Sequence, residues 1–375
     1  MAGGTIMTDI IQDERLKQTS KLRDWFVRPE LGAACGTILV FVFFLMIARD
    51  SGMFSPDGVR NWMAVAAQFA IIATGACLLM IAGEFDLSIG SMIGFSGIVI
   101  AILSVQVGLP VWLAIICAFV LAMTIGGLNG LLVIRTGLPS FIVTLASLYI
   151  LRGLTIWLSI LTTNRTIIGG VGQAGEGDWL GALFGGVAFR GLFQWFADIG
   201  LLDVYTSGSR EGQPLVAGVP MMIVWAIALI VFAHVLLTRT RFGNWIFAAG
   251  GNPQAARYAG VPVNRVKILM FMFTAFCATV FAAAQVMEFG SAAADRGMLK
   301  ELEAIICVVI GGALLTGGYG SVVGAAMGAL IFGMVQQGLY FAGAESSLFR
   351  VFLGGILLLG VILNTYIRQA ITGEK

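Results

Sequence analysis

Apolar residues in this chain come in long runs rather than alternating with polar ones, and the runs are bounded by charges, prolines and glycine clusters. A helix needs about 20 apolar residues to cross a bilayer. Windows near that length fall at 31–48, 62–82, 91–107, 110–134, 139–161, 219–237, 266–289, 303–317, 321–342 and 348–367. The pattern therefore predicts an all-α polytopic membrane protein with about ten transmembrane helices. The eighth window is short and runs into Leu315-Thr316-Gly317-Gly318-Tyr319-Gly320, a sequence that interrupts a helix rather than ending it cleanly. Residues 179–202 are also fairly apolar, but Arg190 and Asp198 interrupt them, and they read as an interfacial or loop-packed helix.

Composition agrees with the pattern. With 58% hydrophobic and 11% charged residues, the chain has too little polar surface to cover a water-soluble globule. Fifty glycines would weaken soluble helices, whereas in a bilayer they let backbones approach closely. The net charge of +2 leaves no nucleic-acid footprint. Five cysteines in apolar runs and a single histidine give no metal or disulfide spacing.

Ten spans place both termini on one side, and basic residues choose the side. With the N-terminus inside, thirteen Lys and Arg face the cytoplasm, including Arg135, Arg239, Arg241, Arg257, Arg265 and Lys267. The expected organisation is a cytoplasmic tail at 1–30, a membrane domain at 31–367 and a cytoplasmic tail at 368–375. A long periplasmic loop is expected at 162–218 and a cytoplasmic loop at 238–265. Ile81-Ala82-Gly83 followed by Gly90-Ser91-Met92-Ile93-Gly94 is echoed by Ile310-Gly311-Gly312 followed by Gly320-Ser321-Val322-Val323-Gly324. Each copy reads as helix, glycine-rich break and helix, as two weakly repeated transporter halves would produce. Chance glycine breaks in a glycine-rich chain produce the same echo. The candidate break glycines are Gly83, Gly90, Gly312, Gly317, Gly318 and Gly320.

Two stretches carry candidate mechanism. Gly83 to Ser91 sets Glu84, Asp86 and Ser88 between apolar runs, and carboxylates so placed are expensive unless they face a cavity or a partner. These residues fit a pathway or gate element; they also fit a short polar turn in which Asp86 or Ser88 caps the next helix. Asn129, Gln285 and Glu288 are further pathway candidates within spans. Arg152 and Glu288 are the most expensive to bury and are candidates to pair with each other. In the second stretch, Asn252 reads as an N-cap, Pro253 as the first helical residue, Gly260 as a left-handed terminator and Pro262 as a stop. The result is a helix of about two turns between spans, suited to transmit force from a docked partner.

No lysine follows a glycine anywhere, so a phosphate-cradling G-x-x-x-x-G-K loop is excluded. The chain is not expected to be an enzyme.

These stretches resemble the ribose, xylose and related sugar permeases of bacterial ATP-binding cassette importers, a family that shades into the branched-chain amino acid permeases. Gly83 to Ser91 is similar to that family's G-x-x-D-L-S-x-G-S element, with Glu84 where many members have glycine. Pro139 to Leu145, followed by Arg152-Gly153, resembles F-I-x-T-L followed by R-G. Glu301-Leu302-Glu303-Ala304-Ile305 with the glycines that follow is similar to the E-L-[DE]-A-I pattern. Asn252 to Gly260 is similar to the segment that forms the coupling helix on the ATPase. The resemblance implies that Asn252, Pro253, Ala255, Ala256, Arg257 and Gly260 contact that subunit. It further implies two ATPase subunits holding ATP and Mg, a periplasmic solute-binding protein and a second permease chain in the bacterial inner membrane, with no cofactor in this chain. The implied cargo is a monosaccharide or polyol. The rival reading is an ion-coupled secondary transporter or facilitator of a small polar solute, in which Glu84, Asp86 or Glu288 binds the coupling ion.

Overall fold

The structure is a computed structural model and describes residues 29–206, 211–345 and 347–352, with 354, 355, 358 and 362 beyond them. It is a helical bundle. Eight helical segments among the described residues are long and apolar enough to cross a membrane. They are α1 (Pro29–Ile47), α2 (Pro56–Ile81), α3 (Ile89–Ala101, continued by a wider π turn to Gln106), α4 (Val111–Thr136), α5 (Ser140–Thr163), α9 (Met221–Arg239), α12 (Val263–Phe289) and α14 (Val322–Phe341). Local chemistry sets their ends. Ser55 accepts from Gly58 N–H at 3.1 Å with Pro56 in the first turn, and Pro110, Pro139, Pro220 and Pro262 directly precede α4, α5, α9 and α12. α4 closes at Gly137 with a φ of +68°.

Burial separates a centre from a periphery. α2, α3, α12 and α14 are mostly enclosed by other helices, with 83% of the apolar window of α2 buried, whereas α1 is 11% buried. Large apolar side chains such as Leu39, Met46, Tyr149 and Leu161 project outward from α1 and α5. That surface is solvated only if lipid surrounds it.

The 179–202 segment is not a span. It forms α7 (Trp179–Gly185) and α8 (Arg190–Asp198), preceded by the single turn α6 (Val171–Ala174). Asp178 ties α7 down: its Oδ1 accepts from Leu180 and Gly181 N–H, and its Oδ2 accepts from Trp112 N–H at 3.0 Å. Phe184 then stacks on Trp225, whose indole N–H donates to Leu183 O.

The eighth window departs from expectation. Instead of a helix over 303–317, the chain is extended over 291–293, passes through successive turns over 294–299, and forms α13 (Lys300–Ile310), 11 residues and so about 16 Å long, half a hydrocarbon core. The extended part is held by other segments, because a backbone that leaves its helix must find partners elsewhere. Strand β4 (Ser291–Ala293) pairs antiparallel with β1 (Ile167–Gly169), Ile167 opposite Ala293, and Ala294 N–H donates to Thr166 O at 2.8 Å. A second two-residue pairing joins β2 (Val187–Ala188) to β3 (Val219–Pro220). The expected helix at 348–367 and tail at 1–30 lie mostly outside the described residues and the tail at 368–375 wholly so, while Pro29 and Glu30 already belong to α1.

Candidate coupling and pathway site

Three chain segments converge at one end of the bundle. α2 ends at Ile81, whose carbonyl accepts from Gly318 N–H at 2.8 Å, so the 311–321 link is joined to the end of α2. α10 (Arg241–Gly251) presses on the same point: a Cβ on Gly250 would lie 1.8 Å from Ile81 O and 2.7 Å from Gly318 N. No side chain fits there. Gly317 and Gly318 take φ of +81° and +74°, which turn the link tightly enough to reach this contact.

The expected break glycines divide. Gly83, Gly312, Gly317 and Gly318 all have positive φ and mark true breaks. Gly90 does not; it lies inside α3, where its missing side chain admits the Glu301 carboxylate and Gly297 O. Gly320 has no positive φ and packs against the Ile81 and Ala313 side chains. The two echoed segments thus form similar turns, α2 to α3 and α13 to α14, and they meet at Ile81 and Gly318.

From this junction the chain continues directly into α11 (Pro253–Tyr258). Asn252 Oδ1 accepts from Ala255 N–H at 3.0 Å, Gly260 turns with a φ of +81°, and Val261 N–H returns to Ala256 O at 2.9 Å. Ala256 packs inward, whereas Tyr258 is 94% exposed. Arg257 is also exposed and donates to Asn264 Oδ1 at 3.2 Å. Pro253 fixes the first turn, and Ala255 supplies the N–H that closes the cap. This is a short helix secured at both ends, with its outer face bare.

The polar residues of the α2–α3 link are brought together differently from one another. Glu84 pairs with Lys267 Nζ of α12 at 2.5 Å, both side chains being largely shielded. Asp86 is buried and forms a local turn, its Oδ1 accepting from Ser88 N–H at 2.8 Å and from Ser88 Oγ at 2.6 Å. Ser88 Oγ in turn accepts from Asn129 Nδ2 at 3.2 Å. Ser140 and Thr144 of α5 take the Phe85 and Leu87 N–H groups at 3.0 Å each. Burial raises the Asp86 carboxyl from the ordinary 3.8 to about 6, with the Ser88 bonds opposing. Asp86, Ser88 and Asn129 therefore form one hydrogen-bonded chain; neither Asp86 nor Ser88 supplies the expected side-chain cap to α3, because Asp86 Oδ1 reaches only to Ser88.

Gln285 and Glu288 do not join it. They lie 18 and 21 residues beyond Lys267 on α12, about 30 Å away along that helix. The expected Arg152–Glu288 pair is absent: Arg152 Nη1 donates to Ala294 O at 3.4 Å, and Glu288 feels the charge of Arg60 on α2. Helix geometry explains the miss, because Glu288 sits at the end of α12 and Arg152 reaches the turn at Ala294, six residues further on.

The first turn of α13, which follows it, holds the polar group that sequence reasoning missed. Glu301 is buried at 6% exposure beside Gly90, and its Oε2 has no hydrogen-bond partner among the described residues. Lys300 pairs with Glu303 at 2.6 Å and lies 4.4 Å over the Phe69 ring. Lys300, Glu301 and Glu303 within four residues were the available signal: a helix beginning with all three is not an ordinary lipid-facing span.

Comparison with known proteins gives this arrangement a family. Residues 58–361 match the family described as branched-chain amino acid transport system / permease component. The chain belongs to that family. This permease is 33% identical over 353 residues to the xylose transport system permease protein XylH of Escherichia coli strain K12, covering 88% of this chain and 90% of that one. It is 30% identical over 352 residues to XylH of Haemophilus influenzae, covering 88% and 94%. It is 32% identical over 292 residues to the autoinducer 2 import system permease protein LsrD of Salmonella typhimurium, covering 78% of each chain. No solved structure matches it. The chain is thus a multi-pass membrane permease, as both its spans and its relatives show.

Proposed function

We propose that this permease subunit forms the membrane path of an ATP-binding cassette importer for a small sugar, and that a separate ATPase drives it by gripping α11. The observation that carries the reading is the continuity of α11 with the junction at Gly250. A push on the bare face of α11, at Arg257 and Tyr258, is delivered through α10 to the end of α2 and to the 311–321 link at once. Those two elements lead into α3 and α14, which belong to the enclosed centre of the bundle. Rigid transmission of this kind is what alternating access requires of a lever.

The sugar assignment rests on relatives named for xylose transport and autoinducer 2 import. On this reading two ATPase subunits hold ATP and Mg, a periplasmic binding protein delivers the cargo, and a second copy completes the path. The basic residues at 239–267 support a cytoplasmic side for α11 and, with it, for both termini. The ion-coupled alternative is disfavoured by the link chemistry. Glu84 is already neutralised by Lys267, so it presents no open carboxylate to a cation.

The test is xylose uptake into vesicles carrying the permease with its ATPase and binding protein. Arg257→Glu is expected to abolish ATP-driven uptake while the permease still inserts at its normal level. Normal uptake in that variant would count against the role assigned to α11.

A further inference from the structure

A groove of about 420 Å³ opens on the flank of the bundle between α4, α9, α10 and α12. Its lining is apolar throughout. Leu236, Phe242 and Leu269 form its mouth at the α10 end, and Met123, Phe273 and Phe276 form its deeper part. Leu269 and Phe276 are seven residues apart on α12, so the groove extends about 10 Å along the bundle axis. Around it Phe232, Val235 and Leu269 are exposed, so this flank is covered by no other part of the described chain.

Three arginines flank the mouth residues along their helices. Arg239 follows Leu236 by three residues and Phe232 by seven, which sets it on the groove side of α9. Arg265 precedes Leu269 by four on α12, and Arg241 directly precedes Phe242 on α10. All three are exposed, and among the described residues none makes an ion pair. The stretch 238–265 contains no Asp or Glu, so nothing within it offsets their charge. Trp245, one turn beyond Arg241 and 6.2 Å from the Phe242 ring, suits the boundary between headgroups and acyl chains.

We propose that this groove is a binding site for one anionic phospholipid, its acyl chain lying along Phe273 and Phe276 and its phosphate held by Arg239, Arg241 and Arg265. Each half of the site fits one half of that molecule. A groove without polar atoms is filled by hydrocarbon at no desolvation cost, and a cluster of unpaired guanidiniums at the interface selects a negative headgroup over a zwitterionic one. The lipid would bridge α9, α10 and α12, bracing the outer side of the segment that carries α11. This inference is independent of the transported solute.

Native mass spectrometry of the purified permease, titrated with phosphatidylglycerol or phosphatidylethanolamine, tests it. One phosphatidylglycerol is expected to bind in preference to phosphatidylethanolamine. The triple variant Arg239→Gln/Arg241→Gln/Arg265→Gln is expected to weaken that binding by about 100-fold, since each basic residue near a membrane surface contributes roughly fivefold. Leu269→Trp, which fills the mouth and leaves the arginines in place, is expected to remove the bound lipid as well. Equal binding of the two lipids, or phosphatidylglycerol binding unchanged in Leu269→Trp, would overturn the proposal. Loss of self-association in Leu269→Trp would overturn it too, by showing the groove to be a contact between copies.

Discussion

Gly250→Ala is the sharpest perturbation of the junction. The added Cβ would sit 1.8 Å from Ile81 O and 2.7 Å from Gly318 N, and both are backbone atoms that no side-chain rotation can move aside. Relief requires α10 to withdraw or the Gly318 to Ile81 hydrogen bond to break. Overpacking of a close contact costs about 1–3 kcal/mol, and an amide hydrogen bond of this kind contributes about 1 kcal/mol. The expected destabilisation is therefore about 2–4 kcal/mol. Gly153→Ala is the control: nothing lies within 4 Å of the new methyl and the residue is mid-helix, so it should be neutral or stabilising by up to about 1 kcal/mol. Unfolding by SDS titration in mixed micelles, extrapolated linearly, measures both. Gly250→Ala with the stability of the unmodified chain would refute the close-contact account of the junction.

Other residues give independent tests. Lys267→Met should destabilise the chain by about 1–3 kcal/mol by stranding the shielded Glu84 carboxylate, and adding Glu84→Gln should recover most of that in a double-mutant cycle. Because burial raises the Asp86 carboxyl from 3.8 to about 6, the folded state holds a proton that the unfolded state has released. Its contribution to stability is therefore full below about pH 4 and lost as pH rises to about 6, a fall of about 2–3 kcal/mol. Asp86→Asn should flatten that slope, as unfolding titrations at pH 4.5 and 7 would show. Asn252→Ala removes the acceptor for Ala255 N–H at a cost of about 1 kcal/mol, so hydrogen exchange across α11 should speed up by about fivefold while exchange in α12 is unchanged.

What could be read from the chain beforehand followed the range of the forces involved. The α11 caps were legible because Asn252, Pro253 and Gly260 act within one or two turns of themselves. The long spans were legible because membrane thickness fixes their length. The strand at 291–293 was not, since it and Ala294 pair with Thr166 to Gly169 more than 100 residues earlier, and hydropathy carries no trace of that pairing. Glu84 met the same limit, its partner Lys267 lying 183 residues away. Gly90 was misjudged for a related reason. Glycine reads as a break in sequence, yet here it serves to admit Glu301 against an unbroken helix.

The lever role of α11 is the central claim, and co-purification tests it most directly. The tagged permease, extracted from its native membrane in a mild detergent, should bring down a stoichiometric ATPase, and Arg257→Glu should release that ATPase while leaving the permease folded and inserted. An ATPase retained in full by the Arg257→Glu variant, or absent from the unmodified chain across several mild detergents, would contradict the account.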